Sequence, residues 1–343
     1  MEDPVTQPGS GHLRLVDTED FDQLVNIVSE KVGLLPHWIR KDYWVVRVLD
    51  ALVLAPELAG RFVFKGGTSL SKAWKLIDRF SEDVDLLPTG PAFGGIPVSA
   101  KGREVAFKAV RTAIEGTTPL RLPLEGLTEG EKRKYYLRSD AHGYMRYPFP
   151  SGDTVEDFIK IEAGFRGGSQ PLQFATIRSL IGEHIGEDPL HAGLAHEFER
   201  DVTGVRVPVL APARTFVEKL LAIHTAASGD IAKLQVRHYY DLAQLFQKHS
   251  DVKKCLQTRG EFRALLIEAI QVSNTFYDAN LEVSSINIEQ SPALTPSGEL
   301  MRELSARWRT EESLYPHGQP QLLDVLATIA EIRTSIESAM RGG

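Results

Sequence analysis

The residues able to do chemistry concentrate in one stretch, where Phe64-Lys65-Gly66-Gly67-Thr68-Ser69-Leu70-Ser71-Lys72 precedes Arg79-Phe80-Ser81-Glu82-Asp83-Val84-Asp85-Leu86. Phe80 to Leu87 alternates as a short strand does, leading into Pro88. Alternate side chains of a strand share a face, so Asp83 and Asp85 project together, roughly 7 Å apart at Cα for a rise of ~3.3 Å per residue. Val84 and Leu86 then point to the core. Two carboxylates held side by side repel one another unless a cation neutralises them. Mg²⁺ is the expected cation, because it favours hard oxygen donors and is usually held by one or two carboxylates together with substrate phosphates.

The elements around this pair must present it to a ligand. Arg61 to Phe64 has strand composition and ends at Gly66-Gly67, after which Leu70, Ala73, Trp74 and Ile77 recur at helical spacing, predicting a helix that ends near Arg79. Glycines at such a turn let backbone N–H groups approach an anion closely, and a helix N-terminus adds partial positive charge. Lys65, Gly66, Gly67, Thr68 and Ser69 therefore read as a triphosphate-binding corner. The alternative is a buried glycine turn followed by a solvated acidic strand. Ser81, two residues before Asp83, shares the carboxylate face. A hydrogen bond at strand entry is one role for it. The other is regulatory: a phosphate there adds about −1.5 to −2 charge beside the carboxylates and competes with an incoming triphosphate.

An apolar residue, Gly-Gly-Thr-Ser, a helix and Asp-Val-Asp-Leu together resemble the first motif of the nucleotidyltransferase superfamily. The wording Phe64 to Lys72 and Arg79 to Leu86 is similar to the AbiEii family, the nucleotidyltransferase toxins of AbiE and MenAT type toxin–antitoxin systems. The resemblance implies transfer of a nucleoside monophosphate from an NTP to an acceptor hydroxyl, here the 3′ end of tRNA, with arrest of translation and growth. It also implies an AbiEi-like antitoxin as partner. The superfamily places a third carboxylate on a neighbouring strand, and Glu162 in Phe158-Ile159-Lys160-Ile161-Glu162-Ala163 is the candidate; an exposed strand position is the other reading. Thr215-Phe216-Val217-Glu218-Lys219-Leu220 and Arg237-His238-Tyr239-Tyr240-Asp241-Leu242 resemble later family motifs, whose active-site lysine and aspartate fall on Lys219 and Asp241. Lys41-Asp42-Tyr43-Trp44 resembles a segment that precedes the glycine motif in this family, without implying a role.

The same segments have readings from pattern alone. At ~100° per residue Lys219 lies about 60° from Phe216, at the edge of a buried stripe from which its ammonium reaches a cleft. Arg237 and Asp241, one turn apart, read as a surface ion pair. Lys41 and Asp42 read as water-facing positions of an amphipathic helix, and Lys41 alternatively reaches a phosphate or closes a helix end. Glu131 to Arg138 is the most basic cluster and carries Tyr135 and Tyr136. Such interleaving suits a groove that tracks phosphates and stacks bases, so Lys132, Arg133 and Lys134 are candidate RNA contacts, with a solvated surface run as the alternative.

The chain has 343 residues and a formal net charge of −7, so it lacks the bulk electrostatic footprint of a nucleic-acid binder and needs a local basic surface to hold RNA. A single cysteine, Cys255, excludes an internal disulfide and a Cys-rich zinc site. The N-terminus lacks a basic region followed by an apolar run, and no segment has the length and apolarity of a membrane span, so a cytoplasmic location is expected.

Helices are expected from Asp17 or Thr18, from Pro36, over 101–114, from Pro212 and over 234–248. Further strands are expected at 144–147, 158–163 and 205–210, with Pro208 placing the last at an edge. Gly90 to Pro97 reads as a loop and Arg166-Gly167-Gly168 as a turn, with a polar connection from Ala279 to Gly298. The expected fold is α+β: a nucleotidyltransferase-like mixed sheet flanked by helices, with a mostly helical C-terminal lobe. The expected division is a mobile tail (1–15), a nucleotidyltransferase core (16–210) and a helical C-terminal domain (211–343). Two other functions remain open: a nucleotidyltransferase acting on a small molecule or protein, and a non-catalytic nucleotide-binding regulator.

Overall fold

The computed structural model describes residues 14–58, 60–81, 83–89, 99–138, 142–149, 157–164, 168–258, 260–277 and 287–341. Most of the expected tail, the 90–97 loop, and Arg166 and Gly167 of the expected turn lie outside the described residues, as does much of the 279–298 connection.

The strands are β1 (Phe62–Lys65), β2 (Asp83–Pro88), β3 (Tyr136–Arg138), β4 (His142–Phe149), β5 (Asp157–Gly164), β6 (Leu172–Ile177) and β7 (Val205–Leu210). They form one mixed seven-stranded sheet in the order β3-β4-β5-β2-β1-β7-β6. β2 runs antiparallel to β1 and parallel to β5, and β1 runs parallel to β7. With its flanking helices this is the α+β architecture expected. The period-two pattern decides which face is covered: Val84, Leu86, Ile159, Ile161, Met145 and Tyr147 are all fully buried, in one core with the helices Pro36–Leu54 and Ala100–Thr117. Their polar neighbours on the same strands face the other way.

A second apolar cluster joins Leu70, Leu76 and Ile77, just past the glycine corner, to the helices Pro212–Ser228, Arg237–Lys248, Ser250–Gln257, Glu261–Tyr277, Gly298–Thr310 and Leu322–Arg341. Among the described residues, no helix is long and apolar enough to cross a membrane.

Three local expectations need correction. The helix after the glycine pair spans only Gly66–Lys72 and stops well short of Arg79. Ala73 and Trp74 both donate to the Ser69 carbonyl, and Lys75 takes φ 51°, which turns the chain so that Leu76 and Ile77 enter the second cluster. Strand β2 accordingly begins at Asp83, not at Phe80. The third correction concerns β7, which lies between β1 and β6 and is not an edge strand. Its proline is accommodated because the ladder to β1 is reduced to Phe64↔Val209, while the continuous ladder runs to β6.

Candidate active site

The polar face of β2 and β5 opens on a cavity of about 1060 Å³, lined by Asp83, Asp85, Glu162, Gly66, Gly67 and Lys219 among others. Parallel pairing sets Asp85 opposite Glu162 and Asp83 opposite Lys160, so the three acidic side chains project from neighbouring positions of one face. The glycine corner meets them directly. Gly66 has φ 75°, and a Cβ there would overlap Asp85 Oδ2; a Cβ on Gly67 would lie 2.6 Å from Ser81 Oγ and 2.8 Å from Arg79 Nη2. Only glycine lets the backbone come this close.

Thr68 and Ser69 do not line the cavity, because their hydroxyls hold the corner together. Thr68 Oγ1 contacts Ser81 Oγ at 3.0 Å and donates to the Asp83 carbonyl at 2.5 Å, and Ser69 Oγ donates to the Gly66 carbonyl. Ser81 itself faces the cavity. Lys65 also lines it and pairs with Glu218 at 3.4 Å.

Lys160 is the residue that the sequence reading passed over. Its ammonium lies 3.4 Å from Asp83 Oδ2 and also contacts Glu162 Oε1, so it stands between two of the three carboxylates. The alternation that selects Glu162 also selects Lys160, two residues earlier on β5, and that was the available signal. Asp85 keeps a strained electrostatic position: burial, then the charges of Glu162 and Asp83, push its carboxyl up to about 7 against the pull of Lys65 and Lys219. The cluster is thus rich in hard oxygen donors, with Asp85 incompletely neutralised by the neighbouring lysines.

Lys219 and Asp241 are brought together. Lys219, half a helix into Pro212–Ser228, reaches Asp241 Oδ2 at 2.8 Å. Asp241 is fully buried and does not pair with Arg237; its other partner is Arg79, whose Nε and Nη2 donate to the two carboxylate oxygens at 2.7 Å each. Burial alone would raise the Asp241 carboxyl, but the Arg79 guanidinium and the Lys219 ammonium hold it well below the usual carboxylate range. Burial lowers the Lys219 ammonium below its ordinary value. Arg79 belongs to the motif quoted from sequence, yet its partner lies 162 positions away and left no local signature. Arg237 and His238 line the cavity, and burial followed by the Lys219 charge keeps the His238 imidazole well below its usual value.

The remaining candidates stand apart from the cavity. Lys132 pairs with Glu129 at 2.7 Å, and Lys134 lies over the rings of Tyr135 and Phe158. Lys41 and Asp42 do not face water but are buried: Lys41 pairs with Asp157 at 3.5 Å, while Asp42 contacts Lys72 and accepts from the Leu180 N–H, tying three elements together. Elsewhere His184, Asp188 and His191 bring potential ligand atoms within 4.8 Å of one another. Lys31 lies 3.3 Å from His184 Nδ1.

A family model described as the nucleotidyl transferase AbiEii toxin of a type IV toxin–antitoxin system matches residues 47–331, well over half of the chain. That match sets the class as nucleotidyltransferase. The chain belongs to the AbiEii toxin family. Among solved structures it is similar to MenT4, a nucleotidyltransferase toxin from Mycobacterium tuberculosis H37Rv, at 16% identity and a TM-score of 0.45, over 92% of this chain and 98% of that one. No curated protein matches the sequence.

Proposed function

We propose that this chain transfers a nucleoside monophosphate from an NTP to an acceptor hydroxyl at the 3′ end of RNA, tRNA being the expected acceptor. The acceptor oxygen bonds to the α-phosphorus as pyrophosphate leaves. Growth arrest follows from blocked translation, an AbiEi-like antitoxin is the partner, and the cytoplasm is the site of action. The observation that carries the reading is that Asp83, Asp85 and Glu162 share one cavity with the Gly66-Gly67 corner and Lys219.

The donor set fits Mg²⁺, since three carboxylates face one space and burial with mutual repulsion leaves Asp85 under-neutralised. Asp83 and Asp85, with Glu162 beside them, would hold the ion, which when bound supplies charge stabilisation on phosphate oxygens. Lys65, Gly66 and Gly67 seat the β- and γ-phosphates. Lys219 neutralises phosphate charge, and Asp241, gripped by Arg79 and absent from the cavity lining, fixes Lys219 and does not touch the acceptor. Thr68 and Ser69 serve the phosphates by holding the corner's shape. Lys132, Arg133 and Lys134 contact RNA beyond the cavity. Phosphorylation of Ser81 would place negative charge against Gly67 and exclude the triphosphate.

The test is incubation with labelled NTPs and either bulk RNA or a metabolite and protein pool, followed by sequencing of RNA 3′ ends. Label joined to RNA 3′ ends in the wild type and absent with Asp83→Ala supports the reading. Label on another acceptor refutes the RNA assignment; nucleotide binding without pyrophosphate release refutes catalysis.

A further inference from the structure

The carboxylates occupy the middle of a row across the sheet. With strands ordered β4-β5-β2-β1, the glycine corner at the end of β1 lies on one side of Asp83 and Asp85, and the polar face of β5 and β4 lies on the other. In an in-line displacement the attacking and leaving oxygens stand on opposite sides of the transferred phosphorus. A triphosphate seated at Gly66 and Gly67 therefore leaves the β5–β4 side for the acceptor.

That side carries a particular chemistry. Register places Tyr144 opposite Glu162 and Arg146 opposite Lys160, and both alternate with the buried Met145 and Tyr147, so they share the carboxylate face. Arg146 lies 4.9 Å from the Tyr144 ring centroid, and Lys160 lies 5.9 Å from the same centroid. One step along β5, Phe158 packs at 5.8 Å from Tyr135, with Lys134 at 5.3 Å from the Phe158 centroid. Half-buried rings, with the cations Lys160 and Arg146 and the exposed Lys134, thus run from the carboxylates towards the basic segment 132–134.

We infer that this β4–β5 face is the acceptor track, taking a single-stranded nucleic-acid end whose bases stack on Tyr144 and Phe158 while its phosphates meet Arg146 and Lys134. The inference rests on the nucleotidyltransferase reading and gives it a direction. Partly exposed rings recognise unpaired bases, which a duplex does not offer, and local cations supply what a chain of net charge −7 lacks overall. A small acceptor has no use for a strip of this length.

The test is fluorescence anisotropy of the full-length protein with a labelled short single-stranded RNA and with the same RNA annealed to its complement. Separate titrations use a non-hydrolysable NTP analogue. Tyr144→Ala is expected to weaken single-strand binding by at least about fivefold. Tyr144→Phe keeps the ring but loses the hydroxyl's 2.6 Å hydrogen bond to the Arg133 carbonyl, and it is expected to bind as wild type does. Arg146→Ala is expected to reduce the salt dependence by roughly 0.7 in log–log slope, one phosphate contact. Analogue affinity stays unchanged throughout.

Wild-type RNA affinity in both Tyr144→Ala and Arg146→Ala overturns the track, as do equal binding of duplex and single strand, or no RNA binding by the wild type. In each case intact analogue binding and pyrophosphate release would show that the nucleotidyltransferase reading survives. Loss of analogue binding in the wild type removes both.

Discussion

Arg79 holds Asp241 by two parallel hydrogen bonds of 2.7 Å, with both side chains almost wholly buried. The pair joins the motif that carries the acidic strand to the helix Arg237–Lys248, and Asp241 passes the constraint to Lys219 at 2.8 Å. Removing one partner of a buried pair leaves an uncompensated charge. Arg79→Leu is therefore expected to lower unfolding free energy in urea by about 3 kcal/mol. It should also weaken NTP-analogue binding by misplacing Lys219. Unchanged urea midpoint and affinity would count against both roles.

Asp85 makes a prediction with a defined pH window. Its folded-state carboxyl is raised to about 7, so in metal-free protein its ionisation opposes folding. The penalty is absent below the ordinary carboxylate range, grows as pH rises towards 7 and is constant above. Asp85→Asn in EDTA at pH 8 is expected to be more stable than wild type by about 1–3 kcal/mol, with no advantage near pH 4, while losing turnover. The check is chemical denaturation across pH. A constant difference would refute the assigned cause.

Gly66 and Gly67 differ in what an alanine would meet. Gly66→Ala adds positive-φ strain of roughly 1–2 kcal/mol and drives its methyl into Asp85, so it should reduce both stability and metal affinity. Gly67 has no such φ, and its added methyl meets Ser81 Oγ and Arg79 Nη2. Gly67→Ala should spare metal affinity and weaken NTP-analogue binding. Calorimetric titration of each variant with Mn²⁺ and with the analogue separates the two.

Lys160 competes with any cation for Asp83 and Glu162. Replacing it by methionine retains the stem and removes the charge. Lys160→Met is expected to bind Mn²⁺ at least about fivefold more tightly, an order of magnitude set by one unit charge at close range in a partly solvated site. Equal affinity by calorimetry would mean that the ammonium yields without cost.

Ser81 faces the cavity beside Gly67. Ser81→Asp is expected to abolish NTP-analogue binding and growth inhibition, whereas Ser81→Ala loses only the contact with Thr68 Oγ1 and retains both. A toxic Ser81→Asp protein would reject the regulatory assignment.

The glycine corner and the facing of Asp83 and Asp85 were legible in the sequence because both are local. A positive φ favours glycine within its own residue, and a strand's side-chain period of two needs only neighbours. The amphipathic helices Pro36–Leu54 and Pro212–Ser228 were legible for the same reason, from the spacing of their apolar residues. What the tertiary structure alone decided is who faces whom across long separations. The parallel register of β2 and β5 brings Lys160 to Asp83 from 77 positions away, and helix packing brings Asp241 to Arg79 and Lys219 instead of to Arg237, one turn away on its own helix. The early end of the Gly66–Lys72 helix was decided in the same way, since burial of Leu76 and Ile77 in the second cluster outweighed a helical pattern that ran on past them. Local periodicity specifies which way a side chain points; its partner depends on strand pairing and packing, which no window of sequence contains.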